Sequence, residues 1–339
     1  MAQRVVAYAA GDHRIVFPAV VALTSIEKHN PGNFHKLIAF DGSHLTDEHS
    51  ALMSRYDIEF IDARTVPDFN RVKSMPLMQE GRWPAEVFLN WAMPEHLATL
   101  GHRYSVKIDY DVVCVASFQN IVEEAIAQEH YVAYRRLKPT YKAPTPEVAQ
   151  QFLAATGREF PTIQKINVGV ALFDNEALQR GRYFDEFLKA YGALMEIAPQ
   201  MHATEQVALA AVSTDYGQHF VPLPASMNRF ARPFKSKFEP EADVRIVHYN
   251  GDLKPWKVIE PRHHRMAERR GQISPLLLRE LWLKQAETVD GFEDYTDARS
   301  VGPMELLIMA RRLEKNVESL KGQTESGSGA TGAEDEAGD

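Results

Sequence analysis

Short apolar runs of strand length alternate with segments of helical spacing through the first third of the chain, and this alternation limits the fold more than any other feature. Val5 to Ala10, Lys36 to Phe40 and Glu59 to Ala63 read as strands. Between them, Phe17 to Lys28 carries apolar residues at helical spacing and stops at Asn30-Pro31-Gly32, and a second helix runs from Thr46 to about Arg55. Strand, helix and strand in succession pack as βαβ units, so the chain is expected to be α/β with a mainly parallel sheet. Ligands of such sheets lie beyond the carboxyl ends of the strands. A helix from about Ala85 to Leu100 leads into a strand from Tyr104 to Ile108, which delivers Asp109-Tyr110-Asp111 to that edge. Further on, Lys165 to Phe173 reads as a strand, Glu176 to Met195 as one long helix, Thr204 to Val212 as a buried helix and Arg245 to His248 as a last strand.

Two carboxylates at i and i+2 at a strand end can point to one cation. An imidazole from His248 completes a mixed oxygen and nitrogen set, which suits Mn²⁺ better than Ca²⁺, with Mg²⁺ as the alternative ion. In the run His248-Tyr249-Asn250-Gly251-Asp252-Leu253-Lys254-Pro255-Trp256, Gly251 lets backbone approach a pyrophosphate and Lys254 brings it a compact positive charge. Each piece has a plainer reading by itself: a surface turn for Asp-x-Asp, a satisfied strand-end histidine for His248, a turn with an aromatic anchor for Lys254-Pro255-Trp256. Their co-occurrence favours ligand and phosphate roles. Glu205 and Gln206 after Thr204 read either as a helix start or as a polar pair facing a sugar. Asn167 either satisfies buried backbone or faces a ligand. The adjacent His263 and His264 diverge on a helix and read as part of a solvated basic face.

At 339 residues and 45% apolar content the chain can bury a large core, either as one large α/β domain or as one domain with a helical appendage. No stretch approaches the roughly 20 apolar residues of a spanning helix, and the N-terminus shows no signal-peptide pattern, so a cytoplasmic protein is expected. The net charge of -8, raised in magnitude by an acidic tail, argues against binding of a nucleic-acid backbone. The one cysteine, Cys114, lies in an apolar run and is assigned burial, not chemistry.

At these residues the sequence resembles glycosyltransferase family eight, the group of glycogenin and the bacterial lipopolysaccharide galactosyltransferases. The family's Asp-x-Asp appears as Asp109-Tyr110-Asp111, its Asn-x-Gly-Val strand as Asn167-Val168-Gly169-Val170, and its His-x-x-Gly-x-x-Lys-Pro-Trp motif is complete from His248 to Trp256, in the family's order. Weaker agreement at Ala9-Ala10, Phe40-Asp41 and Phe60-Ile61-Asp62 extends the resemblance over roughly residues 4 to 257. It implies a Rossmann-like GT-A fold, a UDP-sugar donor, manganese, and transfer with retention to a carbohydrate or glycolipid acceptor. Carried over, Asp109, Asp111 and His248 hold the metal; Ala9, Gly11, His13, Tyr110, Asn167, Gly169, Gly251 and Lys254 join the two aspartates around the donor; Glu205, Gln206 and Lys254 stand at the chemistry. The sequence departs from the family at Gly11, where an acidic residue that contacts uracil is usual, at His13 for asparagine, and at Glu205 for aspartate. Asn90 falls near the family's basic residue on the helix before the metal motif, with Arg82 upstream. A sugar nucleotidyltransferase is the alternative enzyme, although Ala9-Ala10-Gly11-Asp12 lacks that class's basic glycine-rich loop; a noncatalytic sugar-nucleotide or glycan-binding module is the alternative outside catalysis.

The expected organisation is a catalytic domain over 1–257, a helical extension over 258–321 and a disordered acidic tail over 322–339. In the extension, arginines at 262, 265, 269, 270, 311 and 312 accompany apolar residues such as Leu276, Trp282 and Leu306. Such a surface is expected either to rest on the inner face of an anionic membrane or to pack on the catalytic domain or a second copy of the chain.

Overall fold

The strand Val5–Ala10 (β1) is apolar at every position, and its side chains alternate between two buried clusters, as expected of a central strand covered on both faces. The computed structural model describes residues 4–73, 85–137, 145–161, 165–201, 204–231, 243–250, 254–257, 275–292 and 295. β1 pairs in parallel with β2 (Phe34–Phe40) on one side and β4 (Tyr104–Ile108) on the other, and β2 pairs in parallel with β3 (Ile58–Asp62). Beyond β4 the direction changes: β7 (Lys165–Asp174) lies antiparallel between β4 and β6 (Val132–Leu137), and β8 (Phe220–Leu223) follows parallel to β6. The seven strands stand in the order β3-β2-β1-β4-β7-β6-β8. The expected mainly parallel sheet is therefore mixed, through the single reversed strand β7.

A second, three-stranded sheet lies just past the end of β4. In it β10 (Ile246–His248) runs antiparallel to β5 (Val112–Cys114) and parallel to β9 (Arg229–Phe230). The helices among the described residues are α1 (Val16–His29), α2 (Asp47–Arg55), α3 (Pro67–Lys73), α4 (Glu86–Thr99), α5 (Gln119–Ala127), α6 (Pro146–Thr156), α7 (Asn175–Arg180), α8 (Tyr183–Ile197), α9 (Thr204–Ser213) and α10 (Pro275–Ala286). One buried cluster joins the main sheet to α4, α8 and α9; the other joins it to α1, the small sheet and Trp282 of α10.

The sequence boundaries of α1, α2, α4, β7 and α9 hold to within a residue or two, and Thr46 caps α2 by accepting from the His49 N–H at 3.1 Å. The single helix expected over Glu176 to Met195 is instead two, α7 and α8. Arg182 between them has φ +51°, a left-handed conformation that no α-helix continues through. Gly181 beside it makes room for the Tyr216 hydroxyl, which a Cβ at 181 would contact at 2.5 Å. Trp282, expected either to meet a membrane or to pack on the catalytic domain or a second copy of the chain, is fully buried against Trp256, Phe17 and Tyr295, with the Trp256 ring centroid 5.3 Å away. For that residue packing on the catalytic domain is what occurs. Arg262, Arg265, Arg269, Arg270, Arg311, Arg312, Leu306, the second amphipathic segment and the acidic tail lie outside the described residues, as do the side chains of 275–278.

Candidate active site

β4 ends at Ile108, opposite Val170 of β7, and the next residue, Asp109, donates its N–H to the Gly169 carbonyl at 2.7 Å. The chain turns at Tyr110, and Asp111 enters β5. β10 returns beside β5 with His248 opposite Val112, and the Tyr249 N–H donates to the Asp111 carbonyl at 2.9 Å. Backbone pairing thus carries His248 to the two carboxylates. Its Nε2 is 3.2 Å from Asp111 Oδ1 and 3.4 Å from Asp109 Oδ2, and one ligand atom from each of the three residues lies within 4.8 Å of the others. All three expected ligands converge. Two carboxylates and one imidazole are the donor types that hold Mn²⁺ or Mg²⁺, so the residues fit the ion.

Two ammonium groups complete this cluster. Lys254 pairs with Asp111 Oδ2 and Lys107 with Asp109 Oδ1. Burial by itself would raise the Asp111 pKa, but His248 and Lys254 more than offset it and hold the carboxyl well below its ordinary range. Tyr110 is driven the other way, mainly by burial and then by the two aspartates, so its phenol stays neutral. Its ring lies 5.8 Å from the Lys254 Nζ and 5.9 Å from the Trp256 ring.

Lys107, 1% exposed, sits in a strand covered on both faces, where an unpaired ammonium would be costly. It is satisfied by Asp109, by the Val168 carbonyl at 2.9 Å and by the face of Trp91, 5.1 Å away. Trp91 of α4 in turn donates its Nε1–H to Glu205 Oε1 at 2.5 Å. Glu205 is therefore not a helix cap: its carboxylate is turned to Trp91, while the Thr204 hydroxyl donates to the Met201 carbonyl at 2.9 Å. Desolvation pushes the Glu205 pKa up to about 7, against the lowering effects of Trp91 and Lys107. Gln206 follows on the first turn of α9, half-buried.

At the mouth of β1, Ala9 and Ala10 are buried and the Gly11 N–H donates to the Ala39 carbonyl at 3.1 Å. Asp12 accepts from the Arg14 backbone N–H at 2.9 Å and pairs with the Arg14 guanidinium at 2.7 Å. The His13 ring stacks on His44, beyond β2, with centroids 4.6 Å apart. Asn90 Nδ2 donates to the Ala10 carbonyl at 2.9 Å, so the residue near the family's basic position ties α4 to the end of β1. Gly251 and Arg82 lie outside the described residues.

Asn167 and Gly169 belong to a stretch of β7 where the pairing with β6 jumps from Tyr134–Ala171 to Arg135–Asn167. The strand bulges here, as strands often do beside functional sites. Gly169 lies under His248. Asn167, 5% exposed, accepts from the Gly169 N–H at 3.1 Å and from Asn228 Nδ2 at 2.7 Å. Lys107, Trp91 and Asn228 are the site residues that motif reasoning passes over. A lysine within an otherwise apolar strand was a readable signal for the first; the other two reach the site only through long-range packing.

A mixed sheet with an Asp-x-Asp pair at a strand mouth, closed by a histidine at the end of the last strand and a lysine that follows it, is the arrangement of a GT-A glycosyltransferase. The chain belongs to glycosyl transferase family 8, which matches residues 5–260. Among solved structures it is similar to the galactosyltransferase LgtC in complex with donor and acceptor sugar analogues, at 16% identity over 84% of this chain and 96% of that one, with a TM-score of 0.54. It is also similar to the bifunctional glycosyltransferase WbbM, at 11% identity over 88% of this chain and 52% of that one, with a TM-score of 0.55. Mouse xyloside xylosyltransferase 1 matches at 14% identity over 73% of this chain and 98% of that one, with a TM-score of 0.50. No curated protein matches the chain.

Proposed function

We propose that this glycosyltransferase moves a hexose, glucose or galactose, from a UDP-sugar to a carbohydrate or glycolipid acceptor, with retention of anomeric configuration. The observation that carries it is the convergence of Asp109, Asp111 and His248 on one point, with Lys254 bonded to the same Asp111. Asp109, Asp111 and His248 would hold Mn²⁺, with Mg²⁺ as the alternative, and the ion supplies Lewis-acid stabilisation of the departing diphosphate. Lys254 exchanges its carboxylate partner for the diphosphate, so that its fixed positive charge meets the negative charge that develops as UDP leaves.

In the reaction, an acceptor hydroxyl oxygen bonds to the anomeric carbon while the bond from that carbon to the β-phosphate oxygen of UDP breaks. The hydroxyl proton passes to the departing phosphate oxygen, and attack on the face that UDP leaves gives retention. Gln206 orients the reacting sugar, since an amide is a poor nucleophile. Glu205 is anchored to Trp91 and has a carboxyl pKa of about 7, which supports a positioning role over a covalent one. Ala9, Gly11 and His13 line the donor's base end, where Gly11 and His13 replace the family's usual acidic residue and asparagine and the His13 ring stacks on His44.

Manganese-dependent UDP release across a panel of UDP-sugars tests the proposal, with NMR of the product anomer for stereochemistry. Pyrophosphate exchange without UDP release would indicate a nucleotidyltransferase instead, and an inverted product would reject retention. A cytoplasmic location is proposed, and peripheral contact with an anionic membrane, or packing against a second copy, is proposed on the arginines and apolar residues of the C-terminal segment; among the described residues no helix is long and apolar enough to cross a membrane. Flotation with anionic liposomes at low salt tests the contact, and sedimentation tests self-association.

A further inference from the structure

A hydrogen-bond relay fixes which nitrogen of His248 faces the two aspartates, and it begins at a group whose polarity is beyond doubt. The Gly169 backbone N–H can only donate, and it does so to the Asn167 side chain at 3.1 Å. The receiving atom is therefore Asn167 Oδ1. The same oxygen lies 2.7 Å from the Asn228 side chain, which must answer with its Nδ2–H. The opposite amide atom of Asn228 is then Oδ1, and it lies 2.9 Å from His248 Nδ1. An oxygen without hydrogen requires a donor, so Nδ1 carries the proton.

We infer that Asn228 is a positioning residue that keeps a proton on His248 Nδ1, so that when the ring holds a single proton it is the Nδ1–H tautomer and Nε2 is the bare nitrogen presented to Asp109 and Asp111. The inference rests on the metal reading proposed above. A neutral imidazole has one N–H, and a ligating nitrogen must be the bare one. Without Asn228, the carboxylates 3.2 and 3.4 Å from Nε2 would attract the proton to that nitrogen and block it. Asn228 is fully buried, and the ring is packed on two sides: Gly169 lies beneath it and Phe230 meets it edge-on with centroids 5.6 Å apart. Outer partners of this kind hold metal-ligating histidines throughout metalloproteins, and their loss lowers metal affinity by roughly 10- to 100-fold.

The test is ¹⁵N NMR of the histidine-labelled, metal-free full chain, at a pH high enough that the His248 ring holds one proton, with His248→Ala assigning the resonance. The expected wild-type spectrum shows His248 protonated at Nδ1, and Asn228→Asp, which keeps the acceptor oxygen, retains that tautomer. Asn228→Leu moves the proton to Nε2 and weakens Mn²⁺ binding, followed by electron paramagnetic resonance, by about 10- to 100-fold. An Nε2–H tautomer in the wild type, or an unchanged one in folded Asn228→Leu, overturns the inference; the wild-type spectrum decides by itself if Asn228→Leu does not fold. The metal reading is checked separately. Wild-type Mn²⁺ affinity in His248→Ala would sink that reading, whereas the tautomer shifts report on the relay alone.

Discussion

The α-carbon of Gly169 lies directly beneath the imidazole of His248, so close that a Cβ at position 169 would overlap the ring. The glycine is required here by contact, not by an unusual backbone angle. Gly169→Ala is expected to displace His248 from the aspartates, lowering Mn²⁺ affinity and turnover by at least tenfold, while overpacking costs about 1–3 kcal/mol of stability. Metal titration alongside chemical denaturation checks both; wild-type metal affinity would show that the ring can move aside without consequence.

Removing a ligand should be more severe. Asp111→Asn and His248→Ala are each expected to reduce transfer nearly to background in a folded protein, because under the proposed mechanism each takes away one of the three donors to the ion that neutralises the leaving group. Near-normal rates at low manganese in either variant would contradict the ligand assignment.

Lys254→Ala should slow transfer by about 10²- to 10³-fold, the loss associated with one preorganised charge-stabilising donor. Steady-state kinetics with a fixed acceptor read it out. An unchanged kcat would confine Lys254 to its pairing with Asp111.

Glu205 gives a pH prediction with a definite sign. Its pKa rises from the ordinary carboxyl value to about 7 on folding, so the folded state holds more protons than the unfolded state between those values. Stability from this group is present at low pH and declines as pH rises through about 7. Glu205→Gln removes the ionisation, so its melting temperature should gain on the wild type as pH increases from about 5 to about 8. Glu95, also raised to about 7, is common to both proteins and drops out of the difference. A constant gap across the range would disprove the shift.

Trp282→Ala should destabilise the whole domain by about 3–5 kcal/mol, as expected for a fully buried indole. Thermal unfolding should stay a single transition at a lower temperature. A separate early transition with an unshifted main one would mean that α10 melts independently of the sheet.

The sequence made the cluster of Asp109, Asp111 and His248 and its lysine legible because their signal is local: Asp109 and Asp111 two apart at a strand end, and His248 with Lys254 inside one nine-residue run. The strands β1, β2 and β4 were legible because each is a short apolar run bounded by turn residues. The break between α7 and α8 was not, since apolar spacing continues across Gly181 and Arg182 and only the approach of Tyr216 and the left-handed Arg182 interrupt the helix. Asn228 was equally hidden. An asparagine closing a short 3₁₀ helix resembles any turn residue, and what distinguishes this one is a meeting with Asn167, 61 positions earlier. Glu205 was visible as a carboxylate near the expected place, but its partner Trp91 is 114 residues away.

The small sheet has a consequence in time. Lys254 and Asp111 are 143 residues apart, and they meet only because β10 lies alongside β5. Contacts of such separation form late, after local helices and neighbouring strands have removed most of the chain's freedom. As the chain is synthesised, Asp109 and Asp111 emerge and wait without a histidine until β10 arrives. A folding intermediate can therefore own most of the seven-stranded sheet and still be unable to close a three-ligand site, so recovery of metal binding should trail recovery of secondary structure.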